Sequence, residues 1–186
     1  MDLLQQITAY SPVNEQEIAD KQVLLHHLNS GADIYTRNNL TAHMTASAWV
    51  VSPDRTQVLM AFHKIYNSWA WLGGHADGEL DLAAVARREA LEESGLSEVR
   101  LLTPGPISVE VLTVDGHEKR GAYVPSHLHL NVTYLFEANP SLPLRIKPDE
   151  NSAVAWIRMD EIDRKSNEPW FCQRIYPKLC AIAKQF

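Results

Sequence analysis

Residues 88–95 read REALEESG and concentrate negative charge in a short stretch that contains Glu89, Glu92 and Glu93. Residues three and four apart are neighbours on a helix surface, so in a helix these carboxylates share one face and repel one another. The flanking residues favour a helix, because Asp81 is a good N-cap and Gly95 suits the left-handed conformation that ends many helices. The carboxylates therefore belong either to a solvated acidic face or to a site where a cation relieves their repulsion.

The residues before this predicted helix favour the cation. A glycine turn, Gly73-Gly74, comes directly before it and offers a backbone carbonyl oxygen. Hard cations such as Mg²⁺ bind oxygen ligands, usually a few carboxylates together with substrate phosphates. A cation here would neutralise charge on a diphosphate, while a nearby carboxylate takes the proton of the attacking water. The pattern indicates metal-assisted phosphoryl chemistry.

Residues 73–96, GGHADGELDLAAVARREALEESGL, resemble the Nudix box, whose pattern is G-x5-E-x7-R-E-U-x-E-E-x-G-U with U a bulky apolar residue. The box occupies residues 74–96, and the positions in register are Gly74, Arg88, Glu89, Glu92, Glu93, Gly95 and Leu96. Ala90 fills the first U position, and Leu80 stands where the pattern has its first glutamate. In the family that glutamate pairs with the box arginine, so the departure concerns the contacts of Arg88 more than the metal site.

The resemblance implies a fold and an activity. We expect an α/β fold, a Nudix-type α/β/α sandwich with a mixed sheet, in residues 41–186, and an N-terminal helical extension in residues 1–40. The implied enzyme hydrolyses a diphosphate linkage in a nucleoside diphosphate derivative or a related small molecule. Water attacks phosphorus, and Mg²⁺ or Mn²⁺ is the cofactor.

The resemblance also assigns roles to residues. Glu89, Glu92 and Glu93 are expected to face the metal, Glu93 most directly, and the Gly73 carbonyl is a candidate ligand. Arg88 would orient a glutamate through a salt bridge, and Glu89 would double as the base that orients water. Members of the family often add an acid from outside the box, and Glu118 and Glu150 are the two candidates here.

Four histidines form a second group of candidate ligands: His43, His75, His127 and His129. His127 and His129 alternate on a predicted strand and so point to the same side. Isopentenyl diphosphate isomerases resemble this layout, and imidazole suits Zn, Mn, Fe or Ni. The histidines therefore either line a cleft and bond phosphate or water, or form a second site for a transition metal.

Two other functions stay open on the sequence alone. A catalytically silent Nudix-fold sensor of a nucleotide or sugar phosphate is expected to lack one of the three box glutamates, and all three are present; Leu80 is the one departure in its favour. An isomerase-like enzyme with a histidine metal site needs a cysteine directly before the Gly-His pair. Gly73 occupies that position and argues against this chemistry.

The remaining chain predicts strands and helices in alternation. The predicted strands are 45–51, 58–62, 69–72, 107–114, 128–136 and 153–157. A helix is predicted from Ser11-Pro12 to Gly31, a short one over 159–164, and a last one over 168–184. Between the strands, residues 115–127 are predicted to be a polar loop, in which Lys119 and Arg120 would either be solvated or contact substrate phosphate.

Composition limits the partners. A net charge of −6 without a Lys/Arg cluster argues against binding a nucleic acid polymer or a membrane surface. The N-terminus lacks a signal peptide pattern and no apolar run is long enough to span a bilayer. Cys172 and Cys180 lack metal-ligand spacing and suit a reducing compartment. We expect a cytoplasmic protein, with the N-terminal helix available for a homodimer interface.

Overall fold

The structure is a computed structural model that describes residues 1–65, 67–119 and 121–186, apart from the side chain of Lys119. Arg120 and the Lys119 side chain, considered above as phosphate contacts, lie outside this description. The strands are β1 Ala42–Val51, β2 Gln57–His63, β3 Ser68–Ala70, β4 Leu72–His75, β5 Arg100–Leu101, β6 Ser108–Val114, β7 His117–Lys119, β8 Ala122–Val124, β9 His127–Glu137 and β10 Asn151–Arg158. The α-helices are α1 Leu3–Ala9, α2 Glu15–Asn29, α3 Leu82–Ser94, α4 Ile162–Lys165 and α5 Tyr176–Ala183.

The described chain is built around an eight-stranded mixed sheet, and the predicted α/β architecture is confirmed. The strand order is β10-β2-β1-β9-β5; in addition β3 pairs with β2, β4 with β1 and β6 with β9. β1 lies at the centre, parallel to β9 and antiparallel to β2 and β4. Strands that lie in the middle of a mixed sheet are covered on both faces, and every residue of β1 is buried.

The two faces of β1 differ in chemistry, because alternate residues of a strand point to opposite sides. One face carries small and apolar side chains, from Ala42 to Val50, and packs with the buried residues of α1 and α3 in one hydrophobic cluster. The other face starts polar, at His43, and becomes apolar at Trp49. Trp49 stacks on Tyr176 of α5, with ring centroids 5.6 Å apart. Only the polar end of this second face is left for a cleft.

The box helix α3 forms as predicted. The Asp81 carboxylate accepts hydrogen bonds from the backbone of Ala83 and Ala84, and Gly95 ends the helix with a φ of 69°. Val85 and Ala90 are among the residues that face the core and are fully buried. This anchoring leaves the glutamates on the opposite side of the helix, toward the cleft.

The N-terminal prediction is wrong in its boundaries. The chain has two helices there, and α2 begins after Asn14, whose side chain accepts a hydrogen bond from the Glu17 amide. Pro12 lies in the connection, and α1 begins after Asp2, which forms a capping box with Gln5. Local capping by Asp2 and Asn14 thus decides the helix starts. Leu3, Ile7 and Leu24 join the same hydrophobic cluster as β1, so both helices pack onto the sheet.

Helix α2 covers the edge strand β6. Asp20 accepts a hydrogen bond from the Val111 amide, and the Gln16 side chain donates to the Val109 carbonyl. Unpaired strand edges are prone to intermolecular pairing, and these side-chain bonds occupy part of the edge.

Two further segments differ from the sequence prediction. The predicted loop 115–127 contains the hairpin β7–β8, in which His117 pairs with Val124. The predicted last helix is interrupted, since residues Phe171–Ile175 form a π-helical turn before α5 begins. A 3-10 turn, Met159–Glu161, leads into α4. Among the described residues, no helix combines the length and hydropathy needed to cross a bilayer.

Candidate functional site

A large cleft lies at the polar end of the sheet, between β4, α3 and the edge strand β6. Its volume is about 1560 Å³. The predicted site residues that line it are Gly73, His75, Arg88, Glu89, Glu92, Glu93, Glu118, His129 and Glu150. No cysteine lines the cleft within the described chain. The cleft thus holds most of the candidates from both groups, and it lacks the thiol that isomerase chemistry needs.

Three carboxylates converge beside α3. Glu89 and Glu93 are one helical turn apart, and each has an oxygen within 4.8 Å of an oxygen of Glu150. Glu93 is 1% exposed, whereas Glu150 is 39% exposed at the rim. Of the two acids considered outside the box, Glu150 therefore joins this cluster, and Glu118 lies elsewhere along the cleft.

Glu92 is not one of these three clustered carboxylates and forms an ion pair. Its Oε2 lies 3.1 Å from the Lys147 ammonium, which is also 2.9 Å from Glu150 Oε1. Burial tends to lower the pKa of Lys147, but the hydrogen bonds to Glu150 and Glu92 raise it. Lys147 is thus a fixed positive charge at the rim. Lys147 belongs to the Pro-rich loop, which comes close to α3 only in the folded protein. No sequence motif therefore predicts that Lys147 is part of the site.

Arg88 has partners in spite of Leu80. Its guanidinium donates to Glu89 Oε1 at 2.9 Å and to the His75 carbonyl at 3.3 Å. The Glu92 carboxylate lies 3.9 Å from the Arg88 Nε. Leu80 itself is 66% exposed. In this chain the arginine therefore holds a glutamate of its own helix and ties that helix to β4.

The electrostatics of the carboxylate cluster favour protonation or a bound cation. Burial, followed by the charges of Glu89 and Glu150, raises the pKa of Glu93 well above its usual range. Burial also raises the pKa of Glu89, although the hydrogen bond from Arg88 opposes this. The donor set consists of oxygens alone, which is the set that Mg²⁺ and Mn²⁺ prefer. The residues present fit such a cation.

Glycines allow the close approach of β4 to this cluster. The Gly73 amide donates to Glu93 Oε2 at 3.3 Å. A Cβ at Gly74 would lie 2.5 Å from Cδ of Glu89, and a Cβ at Gly73 would lie 2.7 Å from the Ala46 carbonyl oxygen. Since real Cβ atoms do not approach so closely, both positions need glycine for the site to keep its shape.

The four predicted histidines meet at one end of the cleft. The parallel pairing of β1 and β9 places His43 beside His129, and β4 brings in His75. His43, His75 and His129 each have a ring nitrogen within 4.8 Å of the others. The His127 ring lies tilted against that of His43, with 4.7 Å between ring centroids, and its Nε2 is 3.2 Å from that of His129.

Backbone carbonyls orient two of these rings. His43 Nδ1 lies 3.0 Å from the Asn39 carbonyl oxygen, and His127 Nδ1 lies 2.8 Å from that of Pro125. A carbonyl accepts only, so each Nδ1 carries a proton, and in a neutral ring Nε2 then keeps its lone pair. Burial lowers the pKa of His43, which favours the neutral ring. Within the part of the chain described, His43 Nε2 is buried and has no hydrogen-bond partner.

A third group was not anticipated from the sequence. Thr45 and Ser47 of β1 and Asn131 of β9 line the floor of the same cleft and are almost fully buried. Their alternation with apolar residues, every second position along β1, is the signal that would have placed them on the face shared with His43.

Comparisons with solved structures agree with this fold. A hydrolase of the NUDIX family from Clostridium perfringens gives a TM-score of 0.57 at 21% identity, covering 75% of this chain and 97% of that one. The Ap4A hydrolase of C. elegans, in a binary complex, gives 0.56 at 14% identity, covering 76% and 99%. The dihydroneopterin triphosphate pyrophosphohydrolase of E. coli gives 0.56 at 11% identity, covering 75% and 95%. At these identities the likeness concerns the fold.

The sequence comparison is more specific. A search of curated proteins gives no match. A family model of the NUDIX domain matches residues 41–179, which is most of the chain and includes the box helix and Glu150. The chain therefore belongs to the Nudix hydrolase family, whose members hydrolyse pyrophosphate linkages in small phosphate-containing molecules.

Proposed function

We propose that this protein is a metal-dependent hydrolase that cleaves a diphosphate linkage in a nucleoside diphosphate derivative or a related compound, by water attack at phosphorus. The observation that carries the proposal is the convergence of Glu89, Glu93 and Glu150, with Glu93 1% exposed. A buried carboxylate beside two others is costly unless a cation or a proton compensates it. Family membership makes a catalytic cation the better explanation.

The residues divide the work as follows. Glu89, Glu93 and Glu150 would hold Mg²⁺ or Mn²⁺, and the Gly73 carbonyl would be a further candidate ligand. The cation, when bound, neutralises charge on the diphosphate and so favours attack by water. Glu92 fixes Lys147 at the rim, where the ammonium attracts the phosphates.

Glu89 is the general base. Arg88 holds its carboxylate through a 2.9 Å hydrogen bond and keeps it directed toward the cleft. Burial raises the pKa of Glu89, and a base is most effective when its pKa lies near the working pH. The proton of the attacking water passes to this carboxylate, and the leaving phosphate stays near Lys147.

A screen with a matched control tests the proposal. Purified protein is incubated with nucleotide sugars, ADP-ribose, dinucleoside polyphosphates and nucleoside triphosphates, with Mg²⁺ or Mn²⁺, and phosphate is detected after a coupled phosphatase step. We expect turnover that needs added metal, disappears in Glu93→Gln and persists in Glu98→Gln, a change at an exposed acid outside the cleft. Turnover that survives Glu93→Gln would refute the assignment, and absence of turnover on all substrates would favour a silent sensor.

We also propose that the histidines hold a transition metal. The observation that carries this second site is the buried His43 Nε2, which has no hydrogen-bond partner among the described residues. Ligating histidines commonly donate their other ring N–H to a backbone carbonyl, as His43 and His127 do here. Convergent imidazole nitrogens suit Zn, Mn, Fe or Ni. His43, His75 and His129 would be ligands, with His127 beside them.

Metal analysis tests this site independently of turnover. Mass spectrometry of the protein after dialysis should find a transition metal at close to one equivalent. The metal should be lost in His43→Gln and kept in His26→Gln, a change at an exposed histidine of α2. Equal metal content in the wild type and both variants would rule out the histidine site and leave the carboxylate site unaffected.

A further inference from the structure

A chain of hydrogen bonds runs from a buried carboxylate to the floor of the cleft. Glu110 on β6 is fully buried, and its Oε2 accepts a hydrogen bond of 2.8 Å from Asn131 Nδ2. Asn131 Oδ1 in turn lies 3.0 Å from Thr45 Oγ1 and 3.0 Å from Ser47 Oγ. The pairing of β1, β9 and β6 produces this row, since Thr45 is opposite Asn131 and Asn131 is opposite Glu110.

The buried carboxylate fixes the direction of every bond in the chain. An ionised carboxylate only accepts, so the amide of Asn131 must turn its NH₂ group toward Glu110. Its carbonyl oxygen therefore faces the two hydroxyls. Each hydroxyl has one proton, and both protons are used in donating to Asn131 Oδ1. What Thr45 and Ser47 still offer to the cleft is lone pairs.

The charge of Glu110 is held by neighbours on two other elements. Lys178 of α5 places its ammonium 3.1 Å from Glu110 Oε1 and 2.8 Å from Glu17 of α2. The Ser108 hydroxyl also reaches both carboxylates. Thr133 donates a further hydrogen bond, of 3.1 Å, to Glu110 Oε2. With these donors the carboxylate remains an acceptor, and the orientation of Asn131 is not free to reverse.

The floor is accessible because of Gly73. This residue pairs with Ser47 across β1 and β4, and a Cβ there would lie 2.9 Å from the Ser47 hydroxyl oxygen. The same glycine donates its amide hydrogen to Glu93 at the carboxylate cluster. The acceptor floor and the proposed phosphate site therefore adjoin at Gly73.

We propose that Thr45 and Ser47 form a subsite for hydrogen-bond donors, which binds the hydroxyl or amino groups of a sugar or nucleoside attached to the diphosphate. The inference rests on the proposed function for the placement of the diphosphate. A floor that offers lone pairs alone repels phosphate and carboxylate oxygens and gains nothing from an alkyl chain. Hydroxyl and amino donors are the groups that it stabilises. Prenyl and other alkyl diphosphates are therefore poor ligands for this cleft.

Equilibrium binding tests the subsite without any need for turnover. Isothermal titration with Mg²⁺ present compares four nucleoside diphosphates (ADP, GDP, CDP and UDP), 2′,3′-dideoxy-ADP and isopentenyl diphosphate. The test variant combines Thr45→Val and Ser47→Ala. Thr45→Ser keeps both hydroxyl acceptors and serves as the conservative variant, and Thr8→Val replaces a threonine by valine on the surface of α1.

The expected result has three parts. The wild type binds at least one nucleoside diphosphate more tightly than isopentenyl diphosphate. The double variant weakens that binding by about tenfold, as expected for the loss of two modest hydrogen bonds, and leaves isopentenyl diphosphate unchanged. Thr45→Ser and Thr8→Val stay near the wild type. If ADP is the ligand, dideoxy-ADP identifies the donor. If the double variant binds dideoxy-ADP as tightly as the wild type does, the donors are the sugar hydroxyls. If the double variant still binds it more weakly, the donor lies on the base.

A variant that never touches the ligand provides a second arm. In Glu110→Gln the side-chain oxygen faces Lys178 and the new NH₂ faces Asn131, which must then reverse and release both hydroxyl protons toward the cleft. Binding of the nucleoside diphosphate should weaken about as much as in the double variant, while the fold is kept.

The outcomes separate the inference from the proposed function. Three results would overturn the donor subsite. One is equal binding of the nucleoside diphosphate by the wild type and the double variant. The others are an equal loss of affinity for isopentenyl diphosphate in the double variant, and no binding of any nucleoside diphosphate. The expected binding pattern in a protein that hydrolyses none of these compounds would support the subsite and refute hydrolysis.

Discussion

Replacing Lys178 with methionine removes an ammonium that contacts two buried carboxylates. Lys178 is 7% exposed, and Glu17 and Glu110 are fully buried. Methionine fills nearly the same volume, so the change removes a charge and leaves little cavity. The two carboxylates then share the Ser108 hydroxyl with no cation between them.

The expected cost follows from this geometry. Removing one partner of a buried ion pair destabilises a protein by about 3–5 kcal/mol, because an uncompensated charge stays buried. For a chain of this size that is a fall in Tm of about 6–20 °C. Glu110→Gln is the matched comparison. It leaves Lys178 paired with Glu17 at 2.8 Å, so we expect a change within about 1 kcal/mol.

The pH dependence distinguishes a charge effect from a packing effect. In the wild type, burial tends to raise the pKa of Glu17, but Lys178 and the hydrogen bonds to the carboxylate lower it overall. Glu17 therefore adds stability above its unfolded pKa, and this is lost as the pH falls through the folded value. In Lys178→Met the ammonium no longer opposes burial, and only the hydrogen bonds from Val13 and Tyr10 still lower that pKa. We expect burial to outweigh them and raise the pKa, so the variant gains stability as the pH falls from 8 toward 5. The difference in Tm between the wild type and Lys178→Met should therefore narrow over this pH range.

Thermal unfolding followed by circular dichroism at pH 5, 6, 7 and 8 measures both effects in the wild type, Lys178→Met and Glu110→Gln. A difference in Tm between the wild type and Lys178→Met that does not change with pH would show that lost packing, and not lost charge, destabilises the variant. A Glu110→Gln variant as unstable as Lys178→Met would contradict the view that the lysine compensates the cluster.

Three further predictions concern the box. Gly74→Ala should lower kcat by about 100-fold with little change in Tm, because its Cβ would lie 2.5 Å from Cδ of Glu89 and would displace that flexible carboxylate. Loss of the folded circular dichroism spectrum would contradict this. Glu93→Gln should abolish hydrolysis and raise the Tm of the metal-free protein at pH 8, since it removes a buried charge whose pKa is raised; an unchanged or lower Tm would argue against that burial cost. Gly95→Ala should cost about 1–3 kcal/mol in urea unfolding, because φ is +69° and its Cβ would meet Arg145 at 2.7 Å; a neutral change would mean that the helix end adapts.

Local interactions explain why much of the fold could be predicted. Helix α3 formed where expected because the Asp81 cap, the apolar spacing and Gly95 all act within a few residues. The predicted boundaries of the N-terminal helix were wrong because this segment offers several possible helix starts. The prediction used Pro12, whereas the helices begin after the capping residues Asp2 and Asn14. The break before α5 does have a local signal, which the prediction of one helix over 168–184 did not use: Pro177 lies in the first turn of α5 and cannot continue a preceding α-helix.

The sequence by itself determined the chemistry of the box. Spacing along one helix is enough to place Glu89, Glu92 and Glu93 on one face, and strand alternation is enough to put His127 beside His129. Those relations are set by the geometry of a single element, which the order of residues specifies directly.

Only the tertiary structure decided which residues from distant segments complete the site. In the fold Glu150, and not Glu118, is the third clustered carboxylate, and Glu92 forms an ion pair with Lys147. The fold also joined Glu110 to the cleft floor through Asn131. These choices depend on strand order and loop paths, which arise from the burial of the whole hydrophobic core, so no local pattern in the chain encodes them.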